Sequence, residues 1–283
     1  MSRLYHSLKG WVLVAFGCGL FLLQGGVGSV SAQGYLSSLL DPRSPLVCIP
    51  PLQGEVTIAP IWVSVLQGKE TIPALGIAWD MRRDFFIRQP QLFLDTMVRL
   101  QTGRLGLRVN YELRDFAGDG PFQNLPNQFN GENRIDYSGI RIGADFDVYQ
   151  RWLTRFGFNL DYSVYQTIFT ETSQTLGGKK IQRSGPVTWG LHGSYNPVTS
   201  FLGASFICDA RVRFPLTGAE VTEWRVSAGL RSPETVLGSW ALKGGYKETY
   251  LRFRGYQFYN ALNVATEVDV TMGGWFVEFA YYY

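Results

Sequence analysis

Apolar residues recur at every second position along most of this chain, and that period is the feature that most limits how it can fold. In residues 92–101 one side of an extended chain carries Leu92, Leu94, Thr96, Val98 and Leu100, and the other side carries Phe93, Asp95, Met97, Arg99 and Gln101. Successive side chains of a β-strand point to opposite faces, so the segment has one apolar and one polar face. The period of two predicts an all-β chain.

A hairpin is predicted where this segment meets the next one. Residues 105–114 alternate in the same way, and Thr102-Gly103-Arg104 separates the two segments. If Gly103 and Arg104 are the turn residues, Leu100 lies opposite Leu107 and Arg99 opposite Arg108. This register keeps apolar residues on one face of both strands and charged residues on the other.

The alternation alone does not say whether the apolar face points to a core or to lipid. A soluble antiparallel barrel is one interpretation. A membrane barrel is favoured by the charged residues, which are only 17% of the chain and include 20 Arg but 6 Lys, because Arg suits enclosed pairs with carboxylates. The connections also alternate: residues 102–104, 150–155, 196–200 and 232–238 are short, whereas 116–137, 171–184 and 248–265 are long or irregular, as in outer-membrane barrels.

The end of the chain carries a family resemblance. Trp275, Val277, Phe279, Tyr281 and the terminal Tyr283 alternate with other residues, and the last residue is aromatic. This segment resembles the closing strand of bacterial outer-membrane β-barrel proteins. The resemblance implies a closed antiparallel up-and-down transmembrane β-barrel, contact with outer-membrane lipid and lipopolysaccharide, and the barrel-assembly machinery as a transient partner that reads the last strand.

The first residues predict export. Arg3 and Lys9 precede an apolar run over residues 11–23, and Val30-Ser31-Ala32 has the small residues of a signal-peptidase site. We predict a cleaved signal peptide over residues 1–32, a periplasmic segment over 33–54 and the barrel over 55–283. Lipid attachment at Cys18 is the alternative, although no aliphatic residue lies three positions before it.

Parity sets the number of strands. Strands are predicted near residues 92–101, 105–114, 139–149, 156–168, 186–195, 201–213, 221–231 and 239–250, with one more at the C-terminus. Both termini in the periplasm require an even number, so we expect ten, with eight or twelve as alternatives. The first is placed at 56–66, with Pro60 at an edge-like or bulged position, or else at 74–81. Gly273-Gly274 is interpreted as a bulge or kink inside a long last strand rather than as a turn.

The polar faces of these strands would line the lumen. The predicted lumenal network consists of Asp95, Arg99, Arg108, Glu112, Arg114, Arg141, Asp145, Asp209, Arg211 and Arg225, joined by further residues such as Glu223, Lys243, Lys247 and Glu278. Ten strands lie near the limit at which side chains fill a barrel, so an envelope structural or surface-interaction role is expected. A narrow porin-like channel for small solutes is the alternative.

Two other groups of residues are candidate sites. His192 and Ser194 share a strand face, and the His-x-Ser spacing is similar to that of outer-membrane lipid A deacylases, which would imply a base and a nucleophile; a hydrogen-bonded lumenal histidine is the competing interpretation. Tyr250, Arg252, Arg254 and Tyr256 would suit lipopolysaccharide or another surface ligand, with aromatic faces for sugars and guanidinium groups for phosphate. Alternatively, they form a strand pair above the bilayer. Residues 116–137 are expected to be a mobile external loop. No cofactor, metal or nucleic acid is expected, and the barrel is expected to be a monomer.

Overall fold

The structure is a computed structural model that describes residues 53–83, 90–121, 130–151, 154–171, 178–196, 200–201, 204–217, 220–235, 237–259 and 262–283. The predicted signal peptide and Cys48 lie outside the described residues, as does the predicted periplasmic segment up to residue 52. Among the described residues, no helix is long and apolar enough to cross a membrane.

Ten long antiparallel strands form the wall of a closed barrel. They are β1 (Gln53–Ile72), β3 (Gln91–Thr102), β4 (Leu105–Pro121), β5 (Asn130–Arg151), β6 (Thr154–Glu171), β8 (Val187–Tyr195), β10 (Ala204–Thr217), β11 (Glu220–Arg231), β12 (Ser239–Tyr259) and β13 (Leu262–Tyr282). The short strands β2 (Ile77–Asp80), β7 (Gly178–Ser184) and β9 (Ser200–Phe201) pair with β1, β6 and β10. The prediction of ten barrel strands is confirmed.

The barrel closes by pairing its first strand with its last. β1 and β13 are antiparallel neighbours from Glu55↔Tyr282 to Thr71↔Glu267. Backbone hydrogen bonds of 2.9 and 3.0 Å join Gly54 and Tyr283 in both directions. The start of β1 and the end of β13 therefore lie at the same rim. The connections that follow β3, β5, β8–β9 and β11 lie at this rim too. We call this end the short-turn rim and the opposite end the long-strand rim.

The predicted hairpin is present in the predicted register. β3 and β4 pair with Leu100 opposite Leu107 and Arg99 opposite Arg108, and Thr102↔Leu105 leaves Gly103 and Arg104 as the turn. Gly103 has φ = 54°, a backbone conformation that glycine adopts without the steric cost of a β-carbon.

The first strand is in the preferred position, and Pro60 lies at a gap in the pairing with β13 rather than at a bulge. Pro60 lies in an interior strand, opposite Leu94 of β3. Pairing with β13 runs through Ile58↔Phe279 and resumes at Ile61↔Phe276 in the same register, and the shift occurs later, between Val65 and Gln67. The alternative segment, 74–81, contains β2, which pairs with the end of β1 rather than crossing the barrel.

Gly273 and Gly274 lie inside β13, as expected, but they do not form a bulge there. β12 and β13 keep one register through Lys247↔Gly274 and Glu248↔Gly273. A β-carbon at residue 274 would collide with the backbone oxygen of Trp62, and one at residue 273 would lie 2.8 Å from Leu66 Cδ1. The two glycines therefore permit close approach of neighbouring strands.

At the long-strand rim, strands continue where loops were expected. β4 and β5 remain paired to Pro121↔Asn130, so most of residues 116–137 is a hairpin and the expected external loop was wrong there. β12 and β13 remain paired to Tyr259↔Leu262, which agrees with the strand-pair interpretation of that segment. By contrast, β10 ends at Thr217 and β11 begins at Glu220, so this rim is uneven in height.

The outer face of the barrel is apolar between two aromatic bands. Nearer the long-strand rim, Tyr246 contacts Trp224 and Trp275 with ring centroids 5.2 and 5.0 Å apart. At the short-turn rim, Trp240 pairs with Tyr281, whose ring stacks on Tyr283 at 6.2 Å. Between the bands lie exposed aliphatic side chains such as Leu107, Val109, Ile142, Leu160 and Leu242. At about 3.3 Å per residue, Trp275 and Tyr283 are about 26 Å apart along the strand. At the tilt of about 40° that is usual for outer-membrane strands, this corresponds to about 20 Å across the membrane, close to the height of an apolar membrane band.

Candidate functional site

Charged side chains fill the half of the lumen nearer the short-turn rim. Of the predicted network, Asp95, Arg99, Arg108, Glu112, Arg141 and Asp145 are buried, and Asp209, Arg211 and Arg225 are partly exposed within the barrel. Arg114 lies on β4, but its side chain is outside the described part of the structure. Each position follows from strand alternation, because every second residue points inward.

Asp145 of β5 gathers the cations nearest the short-turn rim. Its carboxylate lies 2.9 Å from Arg99 Nε and 3.1 Å from Arg108 Nη1. Arg108 also binds Asp161 on β6. Arg108 is on β4, and Gly143 is on β5, which lies between β4 and β6. A β-carbon at Gly143 would lie 2.8 Å from Arg108 Nη2. The absence of a side chain at this position lets the Arg108–Asp161 pair form across β5.

A second group of ion pairs crosses the lumen. Lys247 of β12 lies 2.7 Å from Glu112 of β4 and 3.0 Å from Asp95 of β3. Arg141 of β5 lies 2.7 Å from Glu112 and 3.4 Å from Glu223 of β11. These side chains come from opposite walls, so the pairs form a partition across the barrel.

The two groups are joined into one network. Arg213 binds Glu223 and lies 3.8 Å from Asp161. Arg225 lies 3.2 Å from Asp95 and binds Glu278, which also binds Lys243. Buried charges are stable only when they are paired and hydrogen-bonded. The network therefore holds nine of the ten barrel strands through charged side chains, and His192 supplies the contact from β8.

Nearer the long-strand rim, the described buried side chains of β1, β3, β4 and β11–β13 are mostly apolar, which the sequence analysis missed. Along β1, Glu55 is followed inward by Ile61, Val63 and Val65, and along β13 Glu278 is preceded by Phe276, Met272, Val270 and Val268. All of these apolar residues are buried, together with Phe93, Phe116, Val221 and Leu251. The rings of Phe93 and Phe116 lie 4.9 Å apart. The available signal was residues 56–66, where apolar residues occur on both faces of a strand, as in strands buried on both sides.

His192 and Ser194 both point into the lumen, and each has a different partner. His192 Nε2 lies 2.6 Å from Asp147 Oδ1, whereas Ser194 lies directly opposite Asp209 on β10. His192 Nδ1 has no hydrogen-bond partner among the described residues. The structure therefore does not join the two residues into a base and nucleophile pair. Asp147 also accepts a 2.6 Å hydrogen bond from Gln101, so His192 belongs to the lumenal network.

The candidate surface residues lie on the outer face of the tall β12–β13 hairpin. Arg252 donates to Glu267 and lies 3.7 Å from Glu220. Tyr250 donates to Asp269. Arg254 is exposed and lies 3.7 Å from Glu267; the Tyr256 side chain is outside the described part of the structure. The guanidinium of Arg252 is thus already bound by carboxylates, and its hydrogen bond holds the pKa of the Glu267 carboxyl below its usual range.

The predicted closing strand presents an apolar row to the outside. Trp275, Val277, Phe279, Tyr281 and Tyr283 are all exposed, whereas Phe276, Glu278 and Ala280 between them are buried. Among the described residues, no group of three or more His, Cys, Asp and Glu side chains is arranged to hold a metal ion.

The polarity of this molecule is the reverse of that of a soluble barrel. Large apolar side chains lie on the outside between aromatic bands, while ion pairs lie inside a sheet with no free edge. Only lipid can cover such an outer face, and a closed barrel satisfies every strand edge in lipid. This is the fold of an outer-membrane β-barrel protein.

Comparisons with known proteins give similar folds with little sequence identity. The outer membrane protease OmpT of Escherichia coli is 9% identical, with a TM-score of 0.43 over 82% of this chain and 96% of OmpT. OprG of Pseudomonas aeruginosa is 11% identical, with a TM-score of 0.33 over 83% of this chain and 97% of OprG. Neisserial surface protein A is 11% identical, with a TM-score of 0.31 over 81% and 96%. No family model and no curated protein sequence matches the chain.

Proposed function

We propose that the protein is a sealed, non-conducting barrel of the outer membrane with an envelope structural or surface-interaction role. The observation that carries this proposal is the double closure of the lumen. A partition of ion pairs such as Arg141–Glu223 crosses the barrel, and the apolar layer around Phe93 and Phe116 lies beyond it. An ion crossing the apolar layer would lose its hydration without gaining polar partners.

Conductance tests this proposal against the alternative of a narrow channel for small solutes. We expect the refolded protein to give no reproducible conductance steps in a planar bilayer. Steps that change in size with Arg108→Gln, and stay unchanged with Leu107→Ala, would overturn the proposal. Leu107 is the matched control because it is the adjacent residue on β4 and faces outward.

The membrane itself and the route to it are part of the same proposal. Residues 1–32 would direct export and be removed, and the row ending at Tyr283 would be read by the barrel-assembly machinery. The apolar belt supports contact with outer-membrane lipid and lipopolysaccharide as its surroundings. We expect the mature protein to begin at Gln33 and to fractionate with the outer membrane, and we expect Tyr283→Ser to lower the amount of assembled barrel. Retention of residues 1–32 on the mature protein, or normal assembly of the Tyr283 variant, would contradict this part.

If the protein has a surface-interaction role, we expect the long-strand rim to bind the partner, because β4–β5 and β12–β13 extend beyond the apolar belt there. Removing residues above the belt in the β12–β13 hairpin should leave a folded barrel, because the ion pairs and aromatic bands below it are kept. The loss of folding rather than of a surface interaction would contradict this assignment.

A further inference from the structure

The lumen is not closed evenly along its length. Near the short-turn rim, the side chains of Glu55 and Arg155 keep 12% and 17% of their surface exposed. Further in, Asp209 keeps 30% and Arg211 20%. Beyond these residues, the partition formed by Arg141 and Glu223 is closed, with 3% and 4% exposed. The exposed residues mark a solvent-accessible space on the short-turn side of the partition.

Arg211 lies in this space without a close carboxylate. Its nearest carboxylate oxygen belongs to Asp145, at 4.0 Å, and that carboxylate already contacts Arg99 and Arg108 at 2.9 and 3.1 Å. A weak contact joins Arg211 Nη1 to Met97 Sδ at 4.0 Å, and Arg211 Nε has no hydrogen-bond partner in the part of the chain that the structure describes. One carboxylate is thus shared by three guanidinium groups.

The two residues that face Arg211 on the neighbouring strands are not carboxylates. Arg211 is directly opposite Arg225 on β11 and His192 on β8. Of the other acidic groups nearby, Asp209 is held by Lys243 at 2.8 Å, and Asp161 is bound by Arg108. Like charges directly opposite each other on adjacent strands repel, and a partly buried guanidinium with open donors is a strong binding group for anions.

We propose that the inner end of this space is a binding site for a small inorganic anion, held by Arg211 and flanked by Arg225. Asp145 alone cannot neutralise three guanidinium groups, and the bound anion supplies the additional negative charge beside Arg211. It would enter from the short-turn rim, past Arg155 and Glu55. The site requires only that space and not the closure beyond it, so the conductance experiment and the test of this site have separate outcomes.

Chloride is the probe that tests the site. The thermal unfolding of the refolded barrel in detergent is measured while chloride replaces gluconate at constant ionic strength. Anion binding to the folded state alone raises Tm with concentration, and we expect a rise of about 3 °C for a barrel of this size. Arg211→Gln should abolish the rise. Arg155→Gln, which removes a cation from the same space, should keep it.

The test does not depend on one variant. Arg211→Lys keeps the charge and should keep a smaller chloride response, and the broadening of the chloride-35 resonance by the wild-type protein should disappear on competition with bromide. No chloride response in the wild type, or the same response in wild type and Arg211→Gln, would overturn the proposal. A response lost equally in Arg155→Gln would also overturn it, because the site would then not lie at Arg211.

Discussion

In the half of the lumen nearer the short-turn rim, the walls are joined by ion pairs, whereas in the half nearer the long-strand rim they are joined by packed apolar side chains. The first half needs specific partners: Glu112 must meet both Arg141 and Lys247 at 2.7 Å. The second half needs only volume and shape, as in the contact between Phe93 and Phe116. Buried ion pairs add little net stability over apolar residues of similar volume, but breaking one is costly. The comparison indicates that the apolar half supplies stability and that the ionic half fixes which strands meet.

The largest effect is expected from breaking the ionic half at Glu223. Glu223→Ala removes the carboxylate that contacts Arg141, Arg213 and Lys247, and leaving buried charges without a partner costs about 3–5 kcal/mol. Urea unfolding of the wild type and of Glu223→Ala measures this loss of stability. Glu220→Ala on the same strand is the control, because Glu220 is exposed and should change stability by less than about 0.5 kcal/mol. Equal losses of stability in the two variants would contradict a specific contribution of the Glu223 ion pairs.

A smaller loss is expected in the apolar half. Phe116 is fully buried, and truncating a buried Phe to Ala costs about 3 kcal/mol through lost burial and a residual cavity. A small apolar solute such as benzene should bind in the cavity of Phe116→Ala and restore part of the free energy of unfolding. An unfolding free energy equal to that of the wild type would show that this layer is not packed.

Gly143→Ala should perturb the ionic half without removing a charge. The new β-carbon would lie against Asp161 and 2.8 Å from Arg108 Nη2, and such overpacking costs about 1–3 kcal/mol. Gly193→Ala on the outer face is the matched control, since its nearest neighbours would be 3.7 Å away. If Gly193→Ala destabilises the barrel as much as Gly143→Ala, the crossing of Arg108 over β5 is not the reason for the glycine.

The smallest effect lies outside both halves, at the Arg252–Glu267 pair. The hydrogen bond from Arg252 lowers the pKa of Glu267, so the pair stabilises the hairpin above the unfolded-state pKa of Glu. That stabilisation is lost as the pH falls through the lowered pKa. The protection factors of the hairpin amides, which correct for the slower intrinsic exchange in acid, should therefore fall as the pH drops through this range. Glu267→Gln should remove this dependence. An unchanged acid response in Glu267→Gln would assign it to another group.

The sequence was sufficient for features that depend on near neighbours. The turn at Gly103 and the facing pair Arg99 and Arg108 followed from local alternation alone. The partners within the lumen did not follow from it: Arg141 and Glu223 are 82 residues apart, and which inward residues meet depends on strand tilt and stagger around the whole barrel.

The apolar half was missed because lumenal residues were identified by the alternation of apolar with polar residues along each strand. Where both faces of a strand are apolar, as around Ile61 and Val63, the period of two disappears from the sequence. Likewise, the upper part of the β4–β5 hairpin was expected to be a loop because its Gly, Asn and Asp residues are common in turns. The pairing of these residues, as at Asp119↔Glu132, depends on neighbouring strands rather than on local preference.

The central claim is that the apolar rows face lipid and the charged rows face a closed lumen. It is tested most directly by a nitroxide scan along residues 105–110 of β4 in lipid vesicles, measuring collisions with oxygen, which dissolves in lipid, and with a water-soluble nickel complex. The account predicts oxygen maxima at Leu105, Leu107 and Val109 and low accessibility to both reagents at Gly106, Arg108 and Asn110. The opposite phase, with 105, 107 and 109 protected from both reagents and the nickel complex reaching 106, 108 and 110, would contradict it.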